Sequence, residues 1–147
     1  MEIILATDHA GFELKESIKF FLIDLKYEVK DFGAFEHDIA DDYPDFIAPA
    51  AKYISENSKL KGIIFGGSGQ GEAISANRFK NVRAAVYYGG PTELVELSRV
   101  HNNANILSLG ARFLSLDDAK NVINLWLMSD FEGGRHLNRI KKIDELS

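Results

Sequence analysis

Seven residues, Gly66-Gly67-Ser68-Gly69-Gln70-Gly71-Glu72, concentrate the groups in this chain that could do chemistry. An apolar run, Gly62-Ile63-Ile64-Phe65, leads into them, and a segment with helical patterning, Ala73 to Arg78, follows. A glycine-rich turn between a strand and a helix aims backbone N–H groups at one point in space, which suits an anion. The acid at its end is the unusual member. A phosphate-cradling loop of the form G-x-x-x-x-G-K-[ST] places lysine after the second glycine, whereas Glu72-Ala73 follows Gly71 here. The dinucleotide spacing G-x-G-x-x-G fails as well. A carboxylate beside a nest of N–H donors reads instead as a proton acceptor next to an oxyanion hole. The structural alternative is a first-turn acid favoured by the helix dipole. The loop carries more glycine than a cap requires.

Other candidates are scattered. Asp8-His9 follows the first apolar run and is either a helix cap with its neighbour or a polar pair able to bind hydroxyls or phosphate. His101-Asn102-Asn103 closes a helix; the histidine is either structural there or a general acid near working pH. Arg135 and Arg139, four apart, share a helix face that is either a solvated basic surface or half of a phosphate clamp that Arg112 could complete. His37 and His136 read as surface residues. The four histidines lack the spacing of metal ligands, and there is no G-x-S-x-G elbow. Ser68 reads as a hydroxyl donor within the nest.

The elements that must position these groups alternate strictly. Ile3–Thr7, Tyr27–Phe32, Gly62–Phe65, Ala84–Tyr87 and Ile106–Leu109 read as strands. Between and after them lie helical stripes: Leu14, Ile18, Phe21, Leu22 and Leu25; Ile47, Ala51 and Ile54, with Asp42 as cap; Leu94 and Leu97; Ala119, Val122, Ile123, Trp126 and Leu127 after a Ser115-x-x-Asp118 capping box; and Leu137, Ile140 and Ile143 after Gly133-Gly134. This pattern predicts an α/β fold with a five-stranded parallel sheet and helices on both faces, in which ligands sit at the carboxyl ends of strands near the switch point. That rule selects Asp8-His9, the Gly66–Glu72 loop and Arg112.

Composition narrows the function. A length of 147 residues fits one domain, 1–147, with a real core. The net charge of −5 argues against nucleic acid as a main partner. The lack of cysteine removes thiolate chemistry, and no apolar run reaches membrane-span length. No signal peptide is apparent at the N-terminus, so a cytoplasmic location is the expectation.

In order and spacing, several motifs together resemble the ribose-5-phosphate isomerase B family, which also contains galactose-6-phosphate isomerase subunits. They are Asp8-His9-Ala10-Gly11, Asp42-Tyr43-Pro44-Asp45, Gly67-Ser68-Gly69-x-Gly71, Ala76-Asn77-Arg78, His101-Asn102-Asn103-Ala104-Asn105, Gly110-Ala111-Arg112 and Phe131-Glu132-Gly133-Gly134-Arg135-His136 with Arg139. The resemblance covers essentially the whole chain. It implies a Rossmann-like three-layer α/β/α sandwich, no metal or cofactor, and a homodimer or dimer of dimers whose sites take residues from both chains, the C-terminal helix (about 134–146) packing on or reaching into a partner. It implies an aldose–ketose isomerase acting on a sugar phosphate through a cis-enediolate, with ribose 5-phosphate expected and galactose or allose 6-phosphate as alternatives. A non-catalytic sugar-phosphate binder is the rival from another class. In many members the base is a cysteine where this chain has Gly66; a second subgroup, with Gly-Gly-Ser-Gly-x-Gly-Glu, uses the glutamate. By that resemblance Glu72 moves the proton and His101 opens the ring. Asp8 and Asn102 hold hydroxyls, and Tyr43 lines the sugar site. Ser68 with the N–H groups of Gly69, Gln70 and Gly71 stabilises the oxyanion, and Gly67 is among the substrate-binding residues. His9, Arg112, Arg135 and Arg139 hold the phosphate, the last two from the partner chain.

Overall fold

The computed structural model describes residues 1–146. Five strands, β1 (Glu2–Thr7), β2 (Glu28–Asp31), β3 (Lys61–Gly66), β4 (Ala84–Tyr87) and β5 (Ile106–Gly110), form one parallel sheet in the order β2-β1-β3-β5-β4. Helices α1 (Phe12–Asp24), α2 (Pro44–Ser55), α3 (Gln70–Ala76), α4 (Glu93–Val100), α5 (Leu116–Met128) and α6 (Arg135–Asp144) complete it.

Alternation along the central strands sorts the core into two layers. Ile3, Leu5, Ile63, Phe65, Leu107 and Leu109 face α1, α4 and α5, where Ile18, Leu22, Val95, Val122, Ile123 and Trp126 meet them. Ile4, Ala6, Ile64 and Ile106 face α2 and α3, against Ile47, Ala50, Ala51, Ile54 and Ala76. The three-layer α/β/α sandwich read from the sequence is therefore the fold. Among the described residues, no helix is long and apolar enough to cross a membrane.

Three expected stripes are turned from their expected faces. On α1 the fully buried residues include Lys15, while Leu25 just beyond the helix is exposed. On α4, Val95, Ser98 and Arg99 are buried and Leu94 faces out. On α6, His136 and Ile140 are buried, and Leu137 and Ile143 are largely exposed. On α1 and α4 a polar side chain takes a core position because its head group finds partners. Lys15 Nζ donates to both Asp31 oxygens at 2.8 and 2.7 Å and to the Ala34 carbonyl at 2.8 Å. Arg99 donates to the Ala104 carbonyl and to Asn103 Oδ1. Asp42 does not cap α2; Tyr43 occupies the cap position with no side-chain bond. The Ser115–Asp118 capping box on α5 is formed.

The chain leaves β1 toward β2 on one side and returns to β3 on the other, so the switch point lies between β1 and β3. Gly11 lets the turn after β1 press onto β3: a Cβ there would stand 2.5 Å from Phe65 Cβ.

Candidate active site

Register brings three loops together. Thr7 pairs with Phe65 and Gly66 with Gly110, so the turns after β1, β3 and β5 leave the sheet side by side. They enclose a cleft of about 280 Å³ lined by Asp8, His9, Tyr43, Gly67, Ser68, Gly71, Glu72 and Arg112. A larger hollow of about 400 Å³ at the β4 edge is bordered mainly by Val82, Ala84, Ala85 and Ile143 and holds no acid–base pair.

Glu72 forms the closed end of the cleft. It lies in the first turn of α3 and is 95% buried, with only 5% of its surface exposed. A Cβ on Gly66 would sit 2.1 Å from the Glu72 carboxyl carbon, so the carboxylate fills the space that any side chain at position 66 would need. Burial pushes the carboxyl above the usual glutamate range; its own backbone N–H opposes this, the Asp8 charge adds to it and Arg112 opposes it.

The glycine loop is clamped from β5. Gly69 takes the left-handed conformation (φ +80°), and its carbonyl accepts from the buried Ser108 hydroxyl at 2.6 Å. The Ala111 and Arg112 N–H groups donate to the carbonyls of Gly66 and Gly67. In the first turn of α3 the Glu72 N–H meets its own carboxylate and the Ala73 N–H donates to the Gly69 carbonyl, which leaves the Gly71 N–H for an anion at the cleft. Ser68 Oγ accepts from the Gln70 N–H at 3.3 Å; Gln70 itself is exposed and outside the cleft lining. The Tyr43 ring crosses Gly71 so closely that a Cβ there would meet its hydroxyl. The Arg112 guanidinium lies over Gly67 in the same manner.

At the mouth, Asp8 caps the short turn that follows, accepting from the Ala10 N–H at 3.0 Å. His9 Nδ1 is 2.7 Å from Asp41 Oδ1, and the same oxygen accepts from the His9 N–H at 3.1 Å. The hydrogen bond to Asp41 raises the imidazole above its usual range; burial and Arg112 oppose this, and the charges of Asp8 and Asp41 add to it. Sequence reading missed Asp41 and Ser108. Neither belongs to a periodic stripe, and their partners lie 32 and 39 residues away.

Four expected site residues lie elsewhere. Helix α4 starts beyond the carboxyl end of β4 and returns to the amino end of β5, so His101 and Asn102 stand at the opposite end of the sheet from Glu72. The separation is about the length of a strand, roughly 17–20 Å. The His101 ring stacks on His136 at 4.4 Å, with Nε2 3.9 Å from Glu132 Oε2. His136 is therefore not a surface residue: it is 5% exposed and its Nε2 is buried without a partner. Burial and the neighbouring positive groups push its pKa below the usual range. Arg135 and Arg139 are exposed on α6 beside this pair, and neither forms an ion pair among the described residues.

Two groups have the side-chain types to hold a cation: His101, Glu132 and His136, and Asp8, His9 and Asp41. In the first, the ring planes lie within 16° of parallel and stacked, so one ion cannot lie in both planes without a ring turning. In the second, His9 Nδ1 is already engaged by Asp41.

A family model described as Ribose/Galactose Isomerase matches residues 3–143. The chain is 39% identical over 142 residues to a probable ribose-5-phosphate isomerase B of Mycoplasma genitalium, covering 96% of this chain and 92% of that one. It is 35% identical over 142 residues to ribose-5-phosphate isomerase B of Escherichia coli, covering 97% and 93%. A crystal structure of the Mycoplasma genitalium isomerase with bound ribulose-5-phosphate superposes with a TM-score of 0.94 at 37% identity, covering 99% and 95% of the two chains.

Proposed function

The chain belongs to the ribose/galactose isomerase family, and from that premise we propose that it interconverts ribose 5-phosphate and ribulose 5-phosphate, with Glu72 as the base. The observation that carries the assignment of the base is the Glu72 carboxylate, buried at the end of the cleft in the space a side chain at position 66 would occupy. A buried carboxylate with a raised pKa is a stronger base than an exposed one, suited to a carbon acid.

The site is built between two copies of the chain. One copy supplies the cleft with Asp8, His9, Tyr43, Ser68, Glu72 and Arg112. Its partner supplies His101, Asn102, Arg135 and Arg139, which one chain cannot bring to its own Glu72. An apolar surface suits the contact: Ile74, Val86, Tyr88, Leu94 and Phe113 are all exposed near the β4 edge or the cleft mouth. In a two-fold dimer each copy both gives and receives, so two equivalent sites form.

The steps follow from the groups. His101 protonates the ring oxygen and the furanose opens, with Asp8 and Asn102 on the sugar hydroxyls. Glu72 removes the C2 proton of the aldehyde form. The electrons flow to O1, and Ser68 with the N–H groups at 69–71 stabilises the charge, an effect typically worth ~10²–10³ in rate. As the O2 proton passes to O1, Glu72 returns its proton to C1, giving the ketose. His9, Arg112, Arg135 and Arg139 hold the phosphate. The absence of cysteine fits a cytoplasmic setting.

Solvent exchange tests this. Wild type should wash deuterium from C2 of ribose 5-phosphate, and Glu72→Gln should bind without exchange; normal exchange in that variant would place the base elsewhere. Mixing inactive Glu72→Gln chains with inactive Arg135→Ala chains should restore part of the activity, and confirmed heterodimers that stay inactive would sink the shared site. The family description also includes galactose, so kcat/KM on galactose and allose 6-phosphates belongs in the same experiment. A clear preference for a hexose would overturn the choice of pentose.

A further inference from the structure

We propose that Asp41 is a positioning residue which, acting through His9, fixes the orientation and charge of the imidazole facing the substrate's phosphate. It thereby sets the pH range over which the phosphate is held. This rests on the reading above that His9 meets the phosphate.

The geometry is specific. Asp41 lies in the loop after β2, 32 residues from His9, and one of its oxygens engages His9 twice, at the backbone N–H and at ring Nδ1. Both His9 contacts to Asp41 are donor positions when the ring is protonated or carries its proton on Nδ1. That leaves Nε2 as the nitrogen free to turn toward the cleft. The Asp41 side chain is 9% exposed, and its second oxygen is buried without a partner. A carboxylate held in this way is stabilised chiefly by a positive charge on His9. The loop is braced for the purpose: the Asp41 N–H donates to the Asp38 carbonyl and the Ala40 N–H to Asp38 Oδ1.

The other charged and titratable groups facing His9 are few. Asp8, its neighbour, favours the imidazolium, and Arg112, from the turn after β5, disfavours it. The His37 ring stands edge-on at 6.2 Å. Asp41 makes the largest contribution, and the direction is upward. His9 therefore stays charged to a higher pH than a free histidine (about 6.5) while the sugar phosphate, with a second pKa near 6, is a dianion. Without Asp41 the two charges would coexist only over a narrow interval.

The test is Asp41→Asn, which keeps an acceptor oxygen and removes the charge. Ring resonances of His9, assigned by comparison with His9→Asn, give its titration midpoint, and steady-state kinetics on ribose 5-phosphate give kcat and KM from about pH 5.5 to 8.5. The expected result is a lowered midpoint and a KM raised about tenfold at pH 8, with kcat within about threefold of wild type. Near pH 5.5, where the ring is protonated without help, the variant's KM should return to the wild-type value. A purely structural role for Asp41 would raise KM equally at every pH and would overturn the proposal. So would an unmoved midpoint, which would leave the phosphate reading of His9 intact. A lowered midpoint with an unchanged KM would instead remove His9 from the phosphate, and the proposal would fall with that reading. Should the variant fold poorly, the wild-type protein decides: a His9 midpoint at or below the ordinary value refutes the proposal.

Discussion

Gly66→Ala isolates the relation between the glycine loop and Glu72, the proposed base. The added methyl would stand 2.1 Å from the Glu72 carboxyl carbon, where ordinary contact is 3.4–4 Å, so the carboxylate must retreat by well over 1 Å. Displacement of about 1 Å is enough to cost ~10²-fold in rate, and loss of a general base costs ~10²–10⁴. We expect kcat to fall by that range, equivalent to about 3–5 kcal/mol of barrier. Stability should barely change. The clashing atoms are the end of a flexible side chain, and Gly66 is not among the glycines at positive φ. Replacing glycine where the backbone permits alanine even stabilises by about 0.4–1 kcal/mol through the unfolded chain. The assay pairs C2 deuterium wash-out with a thermal melt. Adding Glu72→Asp, whose carboxyl is one methylene shorter, to Gly66→Ala should recover part of the lost rate, a non-additive result expected of groups in contact. Wild-type exchange by Gly66→Ala, with its melt unchanged, would refute the claim that the carboxylate at that point is the base.

The raised pKa of Glu72 predicts an acid limb of kcat/KM above the ordinary glutamate value of about 4.3, with activity lost as pH falls through it. The same shift means that the folded state binds the proton more tightly than the unfolded state, so its contribution to stability is present at low pH and is lost as pH rises through the folded value. Glu72→Gln should accordingly melt higher than wild type near pH 8, and the gap should close toward pH 4. Gly11→Ala should destabilise by about 1–3 kcal/mol in urea unfolding, because the new Cβ would press on Thr7 and Phe65, where the sheet cannot yield. Lys15→Met should cost about 3–5 kcal/mol by the same measurement, since it leaves the buried Asp31 carboxylate with only Lys19 and the Gly33 N–H; a cost below ~1 kcal/mol would show that Lys19 alone suffices.

Much of this molecule can be read from its residues, and the reasons differ from place to place. The central strands are legible because burial on both faces makes them continuous apolar runs, and the glycine loop because its composition fits no ordinary cap. Helix α4 is less so. Its buried stripe reads Val95, Ser98, Arg99, and an arginine in the core looks like a surface residue until the carbonyl it bonds is known. His136 is hidden in the same way, between two arginines in a polar run, although its i, i+4 relation to Ile140 is a signal that could have found it. The motif His101 to Asn105 divides once folded. Asn105 Oδ1 accepts from the Arg83 N–H and its Nδ2 donates to the Asn81 carbonyl, so it holds a loop. Asn77 does similar work on Ala84 at the β4 edge. That His101 lies far from Glu72 follows from helices running opposite to strands. It is legible in the element order alone, but only when chain direction is considered together with motif spacing.

The sheet order has a consequence for synthesis. Strand β4 touches the sheet only through β5, yet it leaves the ribosome first. At ~5–20 residues per second, the roughly two dozen residues separating their ends take about 1–5 s to make. Through that interval β3 has one bare side, and Ala84–Tyr87 waits with its backbone unpaired and Val86 uncovered. A nascent chain of this protein cannot complete its sheet in the order in which it is made, so the β4 edge is the last part of the sheet to become one.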